Sequence, residues 1–397
     1  MRLMRILIVA MSESIHTARW ISQISDQGWD IHLFPSIDNG LINPDIKKVT
    51  VHHSIYGALP DINSSVNRRG LNTFNRSLAY LGRTFMQRQW PQYRAHQLCH
   101  TINKIKPDII HSLEIQHAGY LTLDAKNIMK NTFPTWIVTN WGSDIYLFGR
   151  LAAHQDRIKQ VLSMCDYYSC ECLRDADLAQ EFGFTGTTLP IFPNAGGFNI
   201  EKTSKLRSAG KTSSRRLIML KGYQTWAGRA LIGLRALERC SDILDGYKIA
   251  IYSTSPEVVI AAELFSQSTG IPTVIIPKDT SHEEILRLHG QARISLGLSI
   301  SDAVSTSLLE AIVMGSFPIQ SWTAATEEWI IDGETGILVP PEDPDVIEKA
   351  IRTALSNDTL VDSAADENYT ITKNRLDYSI IKKKTIQFYE QVYNENR

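Results

Sequence analysis

The chain has 397 residues, more than a single hydrophobic core usually serves, so two domains of ordinary size are expected. Hydrophobic residues make up 43% and charged residues 21%, and the formal net charge is -1, a globular balance without the strongly basic footprint of a nucleic-acid binder. No apolar run approaches the roughly 20 residues that cross a bilayer, and the five cysteines, Cys99, Cys165, Cys170, Cys172 and Cys240, lack paired CxxC spacing, so neither a disulfide framework nor a structural metal is expected.

The N-terminal MRLMRILIVAMSES has basic residues before an apolar run that covers only Ile6 to Met11, with no cleavage-like segment after it; it predicts a first strand rather than a signal peptide. HTARWISQISDQG follows with helical spacing, then DIHLFPS as a strand. Residues 68–94 set Arg68, Arg69, Arg76, Arg83, Arg88 and Arg94 among aliphatic and aromatic residues, the pattern of a basic amphipathic helix that can lie on an anionic membrane. PDIIHS, PTWIVTN, CDYYSC and TTLPIFPN continue the strands. The three cysteines around CDYYSC are expected as small core hydrophobes. Strands alternating with helices predict βαβ units and a parallel sheet over residues 1–200.

Residues 201–216, EKTSKLRSAGKTSSRR, are polar, basic and without apolar period, as a linker would be. The alternation then restarts with RLIMLKG, GYKIAIYS, PTVIIP, ARISLG, SFPIQS and TGILVPP, which predict a second doubly wound domain over 217–372. A last segment, 373–397, repeats Ile380, Ile381, Ile386, Phe388 and Tyr389 at helical spacing and can cross back over the first domain. Ligands of such sheets bind beyond the carboxyl ends of the strands, where helix N-termini present N–H groups to anions, so the site is expected between the two halves.

Several short motifs carry no chemistry. GKT at 210–212 has Lys205 where a phosphate loop needs its first Gly, and no GxGxxG occurs. The acid triplets Asp175 with Asp177 and Asp343 with Asp345 open helices, where Asp caps free N–H groups. HEEILRLH, 282–289, is not a zinc HExxH because its histidines are seven residues apart.

SDAVSTSLLEAIVMG, 301–315, is more informative. A strand runs into a loop, and a buried helix is expected over 304–314, ending at Gly315. Asp302 stands before its first turn and Glu310 inside it. A carboxylate on a buried helix costs several kcal/mol unless it is hydrogen-bonded, and sugar or ribose hydroxyls would supply that bonding. The N–H groups at the helix start, around Val304, Ser305 and Thr306, suit a diphosphate.

Residues 295–341, SLGLSISDAVSTSLLEAIVMGSFPIQSWTAATEEWIIDGETGILVPP, resemble the donor half of family 4 retaining glycosyltransferases: an acid, seven residues, Glu-Ala, Gly, Pro on a strand, Glu, and DGxxGxLVPP. The resemblance implies the GT-B fold, two Rossmann-like doubly wound α/β domains facing a central cleft, and transfer of a hexosyl group from a nucleoside diphosphate sugar to a carbohydrate or lipid-linked acceptor in polysaccharide or glycoconjugate synthesis. It assigns Glu310 to the ribose, Asp302 to the transferred sugar, and Val304, Ser305 and Thr306 to phosphate and sugar through their amides, with Glu328 on the donor as well. The family also has an Arg and a Lys after the first strand of this domain, which neutralise the departing diphosphate; here Lys221 and Arg229 are the candidates, since Tyr223 stands where Arg is usual. In the first domain the resemblance puts His16, Trp141, Gly142 and Asp144 on the acceptor side, while Asn140 and Trp141 replace the family's His. Two further departures are Asp302 in place of Glu and Ala303-Val304-Ser305 in place of Gly-Phe-Gly. No metal or other cofactor is implied, and a cytoplasmic enzyme is expected, with peripheral attachment to the inner membrane face through 68–94 as an option. The competing readings are a GT-B nucleotide-sugar epimerase, for which no acid–base set near the sugar C2 stands out, and a non-catalytic binding partner, suggested by the departures.

Overall fold

The computed structural model describes residues 3–57, 65–73, 75–130 and 133–397. They divide into two compact units, Met1–Gly196 with Ile381–Arg397, and Gly197–Ile380.

In the first unit the apolar runs become β1 (Arg5–Ala10), β2 (Asp30–Pro35), β3 (Val49–Gly57), β4 (Val66–Thr73), β5 (Ile109–Leu113), β6 (Thr135–Thr139), β7 (Tyr167–Ser169) and β8 (Thr187–Thr188). They form one sheet in the order β4-β3-β2-β1-β5-β6-β7-β8, with every pairing parallel. Strands such as RILIVA and IIHSL are buried on both faces, as a sheet covered by helices on two sides requires. The helices are α1 (Ile15–Ser22), α2 (Arg76–Gln89), α3 (Tyr93–Ile105), α4 (Tyr120–Met129), α5 (Ala152–Met164) and α6 (Leu173–Glu181). The order of strands reverses between β1 and β5.

Residues 68–94 are not one basic helix. Arg68 and Arg69 belong to β4, Arg94 opens α3, and Phe74 lies outside the described residues. Arg83 and Arg94 are buried. Arg83 donates to the Ile55 and Asn39 carbonyls, and Arg94 lies 3.4 Å from Asp38. The arginines outnumber the basic face because two of them tie loops from inside.

The second unit holds β9 (Leu217–Lys221), β10 (Lys248–Tyr252), β11 (Thr273–Ile275), β12 (Ala292–Gly297), β13 (Phe317–Ser321) and β14 (Ile337–Val339), all parallel, in the order β11-β10-β9-β12-β13-β14. This is the doubly wound dinucleotide-fold order, with its reversal between β9 and β12. Its helices are α7 (Ile200–Ser204), α8 (Ala230–Arg239), α9 (Pro256–Thr269), α10 (His282–Gln291), α11 (Thr306–Met314), α12 (Pro344–Ser356) and α13 (Asp358–Arg375). The two acid triplets fall in first turns, Asp175 in α6 and Asp343 as the cap of α12, where it accepts from the Asp345 and Val346 N–H groups.

The expected linker, 201–216, is instead built into this unit. Asn199 caps α7, Thr212 donates to the Gly315 carbonyl at 2.7 Å, and Ser213 donates to Asp362 through both N–H and hydroxyl. Arg215 is buried and donates to the Ala292 and Gly315 carbonyls. The polarity that suggests a tether comes from side chains that satisfy carbonyls at the amino ends of the strands.

The last helix, α14 (Tyr378–Glu395), contributes Ile381, Phe388, Tyr389 and Val392 to the core of the first unit. Trp20 Nε1–H donates to the Tyr389 oxygen at 2.8 Å. The Tyr389 hydroxyl proton is then left for His111 Nδ1 at 2.7 Å, and His111 Nε2–H donates to Thr139 at 2.7 Å. Burial holds His111 down at about 3, so the ring is neutral and the chain of donors is fully determined.

Candidate active site

In the second unit the loops that leave β9 and β12 are hydrogen-bonded to each other: Arg229 N–H donates to the Leu298 carbonyl at 3.0 Å and Ile300 N–H to that of Ala227 at 2.9 Å. The first loop carries Lys221, half-buried at the end of β9, and Arg229, which precedes α8. The guanidinium of Arg229 is turned to Glu342, Nε to Oε1 2.6 Å, and to the Gly228 carbonyl at 2.9 Å. The second loop carries Asp302, whose Oδ1 accepts from the Ala303 N–H at 3.0 Å. Here α11 starts at Thr306, two residues later than the sequence pattern suggests, because Ser305 keeps an extended backbone and its hydroxyl pairs with that of Ser307 at 2.7 Å. The Thr306 and Ser307 N–H groups thus belong to the first turn, where no intrahelical acceptor exists. Gly315 ends the helix at φ 71°, as expected.

Glu310 is 6% exposed. Its partners come from α10: His282 Nε2 lies 2.8 Å from Oε1, and His289 Nε2 lies 3.6 Å from Oε2. Seven residues are two helical turns, so the spacing that rules out a zinc motif places both imidazoles on one face, toward the acid. Burial by itself would raise the Glu310 carboxyl, but the hydrogen bond from His282 and the nearby His289 bring it down to about 2. These imidazoles supply part of the hydrogen bonding that the sequence expectation assigned to sugar or ribose hydroxyls. Beside it, Tyr252 is raised well above the usual phenol range by burial and then by the charge of Glu310, and its ring meets that of His289 edge-on at 5.4 Å. An open cavity of about 590 Å³ lies at the carboxyl ends of β9, β10 and β11, lined by Tyr223, Tyr252, Ser255, Pro277, Lys278 and Ile285 among others. Glu328 is half-buried in a turn, and its carbonyl accepts from Arg375 at 2.7 Å.

In the first unit the chain leaving β5 turns sharply at Glu114, φ 80°, a strained position for a residue with a side chain. The buried Glu114 carboxylate caps the turn that follows, accepting from the N–H groups of His117 and Ala118. His117 Nδ1 is 3.3 Å from Glu114 Oε2, and that bond raises the half-exposed imidazole. After β6, Asp144 Oδ2 accepts from Trp141 N–H at 2.8 Å and Ile115 N–H at 2.9 Å. Burial, then the charge of Glu114, pushes its carboxyl well above the usual range. Gly142 takes φ 41°, and the rings of His16 and Trp141 lie 5.4 Å apart. Asn140, where the family's His is usual, is fully buried: it donates to Asp175 at 2.8 Å and accepts from Tyr168 at 2.6 Å.

The sequence matches two family models, glycosyl transferase 4-like over residues 5–166 and glycosyl transferases group 1 over residues 261–371. Both matches are to glycosyltransferases, and together they span more than half of the chain, so the protein is a glycosyltransferase. No curated protein sequence matches it. Among solved structures it is similar to sucrose-phosphate synthase from Thermosynechococcus elongatus, with 14% identity, TM-score 0.70, and 99% and 100% of the two chains covered. It is similar also to Anabaena HepE in complex with UDP and glucose, with 13% identity, TM-score 0.66, and 98% and 99% covered. A third similar structure is a UDP-forming α,α-trehalose-phosphate synthase from Burkholderia xenovorans in complex with glucose-6-phosphate, with 13% identity, TM-score 0.66, and 98% and 99% covered. Together they establish the GT-B type of fold for this glycosyltransferase.

Within each unit of the glycosyltransferase most residues singled out from sequence follow the carboxyl ends of strands at or next to the strand reversal, while Glu328 lies in a turn after β13. Lys221, at the end of β9, and Arg229 flank the loop after β9, Asp302, Val304 and Ser305 lie on the loop after β12, and Thr306 opens α11; His16 is in the first turn of α1, after β1, and Trp141, Gly142 and Asp144 lie on the loop after β6. Sequence reasoning passed over His282, His289, Glu114 and His117. The first pair was signalled by its two-turn spacing. The second was signalled by an acid and a His in the loop directly after a buried strand, where functional residues concentrate.

Proposed function

We propose that this glycosyltransferase moves a hexosyl group from a nucleoside diphosphate sugar to a carbohydrate or lipid-linked glycan, with retention of anomeric configuration and without a metal ion. The observation that carries this reading is that the ionised Glu310 and the first-turn amides of α11 follow β12 at the strand reversal of the second unit, and that an open cavity of about 590 Å³, lined by the Glu310 neighbour Tyr252, lies at the carboxyl ends of β9, β10 and β11. The nucleoside takes the cavity between Tyr223 and Pro277, Glu310 accepts from a ribose hydroxyl, and Asp302 meets the sugar. The amides of Val304, Ser305 and Thr306 hold the diphosphate, Lys221 and Arg229 neutralise it, and Glu328 supports the donor. The bond from the sugar C1 to the β-phosphate oxygen breaks through an oxocarbenium-like state. The acceptor oxygen bonds to C1 on the same face and gives its proton to the departing β-phosphate. His16, Trp141 and Gly142 contact the acceptor, and Asp144 positions that loop through two backbone N–H groups.

HepE is in complex with UDP and glucose, and the trehalose-phosphate synthase is UDP-forming and in complex with glucose-6-phosphate, so uridine donors are the first to try. A thermal-shift screen over UDP, GDP, ADP and CMP sugars in excess EDTA is the test. Stabilisation by one nucleotide series, followed by transfer whose product retains the donor's anomeric proton coupling, supports the assignment. Response to none of them, or inversion, counts against it.

A lipid-linked acceptor is favoured by α2, where Leu78, Leu81 and Phe85 are each about 60% exposed and lie on one helical face, with Arg76 and Arg88 on the same helix. No helix among the described residues is long and apolar enough to cross a membrane, so the contact would be peripheral. Flotation with anionic vesicles that is lost in Phe85→Asp supports it, and equal flotation of the two proteins removes it.

A further inference from the structure

The first unit holds a second cavity, of about 420 Å³, between one face of α3, the edge strand β4 and its neighbour β3. α3 lines it with His96, His100 and Lys104, which recur at four-residue intervals and so share a side of the helix. β3 adds the adjacent His52 and His53, and β4 adds Arg69. Two permanent cations and four imidazoles thus surround one space, and no carboxylate is found among the described residues that line it.

The partners behind this lining leave specific atoms unsatisfied. His53 Nδ1 is bound to Asp38 at 3.1 Å, and Asp38 meets Arg94 at 3.4 Å. His53 Nε2 has no partner although the residue is only 5% exposed. Gln97 donates to the Tyr93 oxygen at 2.6 Å, which leaves the Tyr93 proton for a further acceptor in the cavity. Burial, then the positive surroundings that include His32, Arg69 and Lys104, hold His52 down at about 3. Arg69 and Lys104 beside the His96 and His100 rings are the complement of a compact anion with several acceptor oxygens, and because His53 gives its Nδ1–H to Asp38, its orphaned Nε2 is an acceptor suited to the O–H of a protonated phosphate. The volume exceeds that of a bare phosphate and suits a substituted one.

We propose that this cavity binds a phosphate-bearing anion, with Arg69 and Lys104 as charge partners, His96 and His100 as hydrogen-bonding groups, and His53 Nε2 accepting from a phosphate O–H. A phosphate on a lipid headgroup and a phosphate on a free sugar present the same oxygens. The cavity shares no residue with the donor site of the second unit, so the two succeed or fail independently.

Inorganic pyrophosphate titrated calorimetrically into the full-length chain is the probe. It is compared between wild type and the double variant Arg69→Gln, Lys104→Gln, both of whose sites are exposed. Pyrophosphate affinity should fall at least tenfold in the variant while stabilisation by nucleotide sugars is kept. Wild type that binds no pyrophosphate, or a variant that binds it as well as wild type, overturns the assignment. Loss of the nucleotide response in wild type itself would instead speak against the donor site. Should the double variant melt early, His100→Gln takes its place, with a severalfold loss expected and an unchanged affinity overturning the site. Flotation with phosphatidylcholine vesicles containing phosphatidic acid separates the two sources. Lower flotation of the variant assigns the cavity to a headgroup, and equal flotation with weaker pyrophosphate binding assigns it to a soluble phosphate compound.

Discussion

Glu310 in the second unit and Asp144 in the first are both buried acids beside the point where a parallel sheet reverses its strand order, yet they are held in opposite states. Burial pushes both carboxyls up. At Glu310 two imidazoles from α10 more than cancel it, and the acid is ionised down to about 2. At Asp144 the neighbours are Glu114 and Asp175, so the backbone N–H groups of Trp141 and Ile115 do not offset the burial and the carboxyl is raised. Burial does not decide the state of an acid in this enzyme; the sign of its nearest titratable neighbour does. The ionised acid suits donor hydroxyls, and the raised one suits a structural part that orders the loop carrying Trp141.

The sharpest way to break this contrast is to neutralise each acid in turn. Glu310→Gln removes a charged acceptor whose hydrogen bonds are worth about 1.5–3 kcal/mol, so donor turnover should fall roughly 10- to 100-fold. Asp144→Asn should leave kcat/KM within about threefold, since an amide oxygen accepts the same two N–H groups. Steady-state kinetics of the two variants with one donor decides it, and equal losses would remove the distinction between a donor contact and a positioning residue.

Acid stability gives a smaller effect of opposite sign at the two sites. The folded value of Glu310 is depressed, so its stabilisation is complete above its ordinary value near 4.5 and is lost as pH falls through about 2. The folded value of Asp144 is raised, so it costs stability as pH climbs from about 3.8 toward that value. Melting curves from pH 2 to 7 should therefore show Glu310→Gln losing part of the wild-type acid sensitivity, and Asp144→Asn gaining relative to wild type toward neutral pH. Asp144→Ala, which strips the acceptor from two N–H groups, should cost about 1–3 kcal/mol, or several degrees of melting temperature. If Asp144→Asn melted as low as Asp144→Ala, the carboxyl would have to be ionised in the folded protein.

The same two regions show how far the sequence can be taken. Apolar runs bounded by turns located β1, β9 and β12 because a parallel sheet buries both faces of its strands, and Gly315 marked the end of α11 because a left-handed backbone there favours Gly. The start of α11 was placed two residues early, since Val304 continues the apolar pattern while Ser305, by its backbone, defers the helix. The partners of Glu310 were harder to see. His282 is 28 positions away, and only the pairing of β12 with β9 and the packing of α10 on α11 bring it near. Polarity misled over 201–216, because composition does not distinguish side chains facing water from those such as Arg215 that face orphan carbonyls.

The smallest effect tests whether the donor side is poised or already set. Arg229 is only 18% exposed at its side chain and is clamped to Glu342, which is 63% exposed. Such a pair at the surface contributes about 1 kcal/mol or less. If Arg229 must leave Glu342 to reach the diphosphate, Glu342→Gln frees it beforehand, and the donor KM should drop by at most about fivefold with kcat little changed. If Glu342 instead holds Arg229 in its working position, the same variant should raise KM, and Arg229→Ala should then match Glu342→Gln in size. The two variants measured together at low salt, where exposed pairs are least screened, separate a cation waiting on a carboxylate from a cation aimed by one.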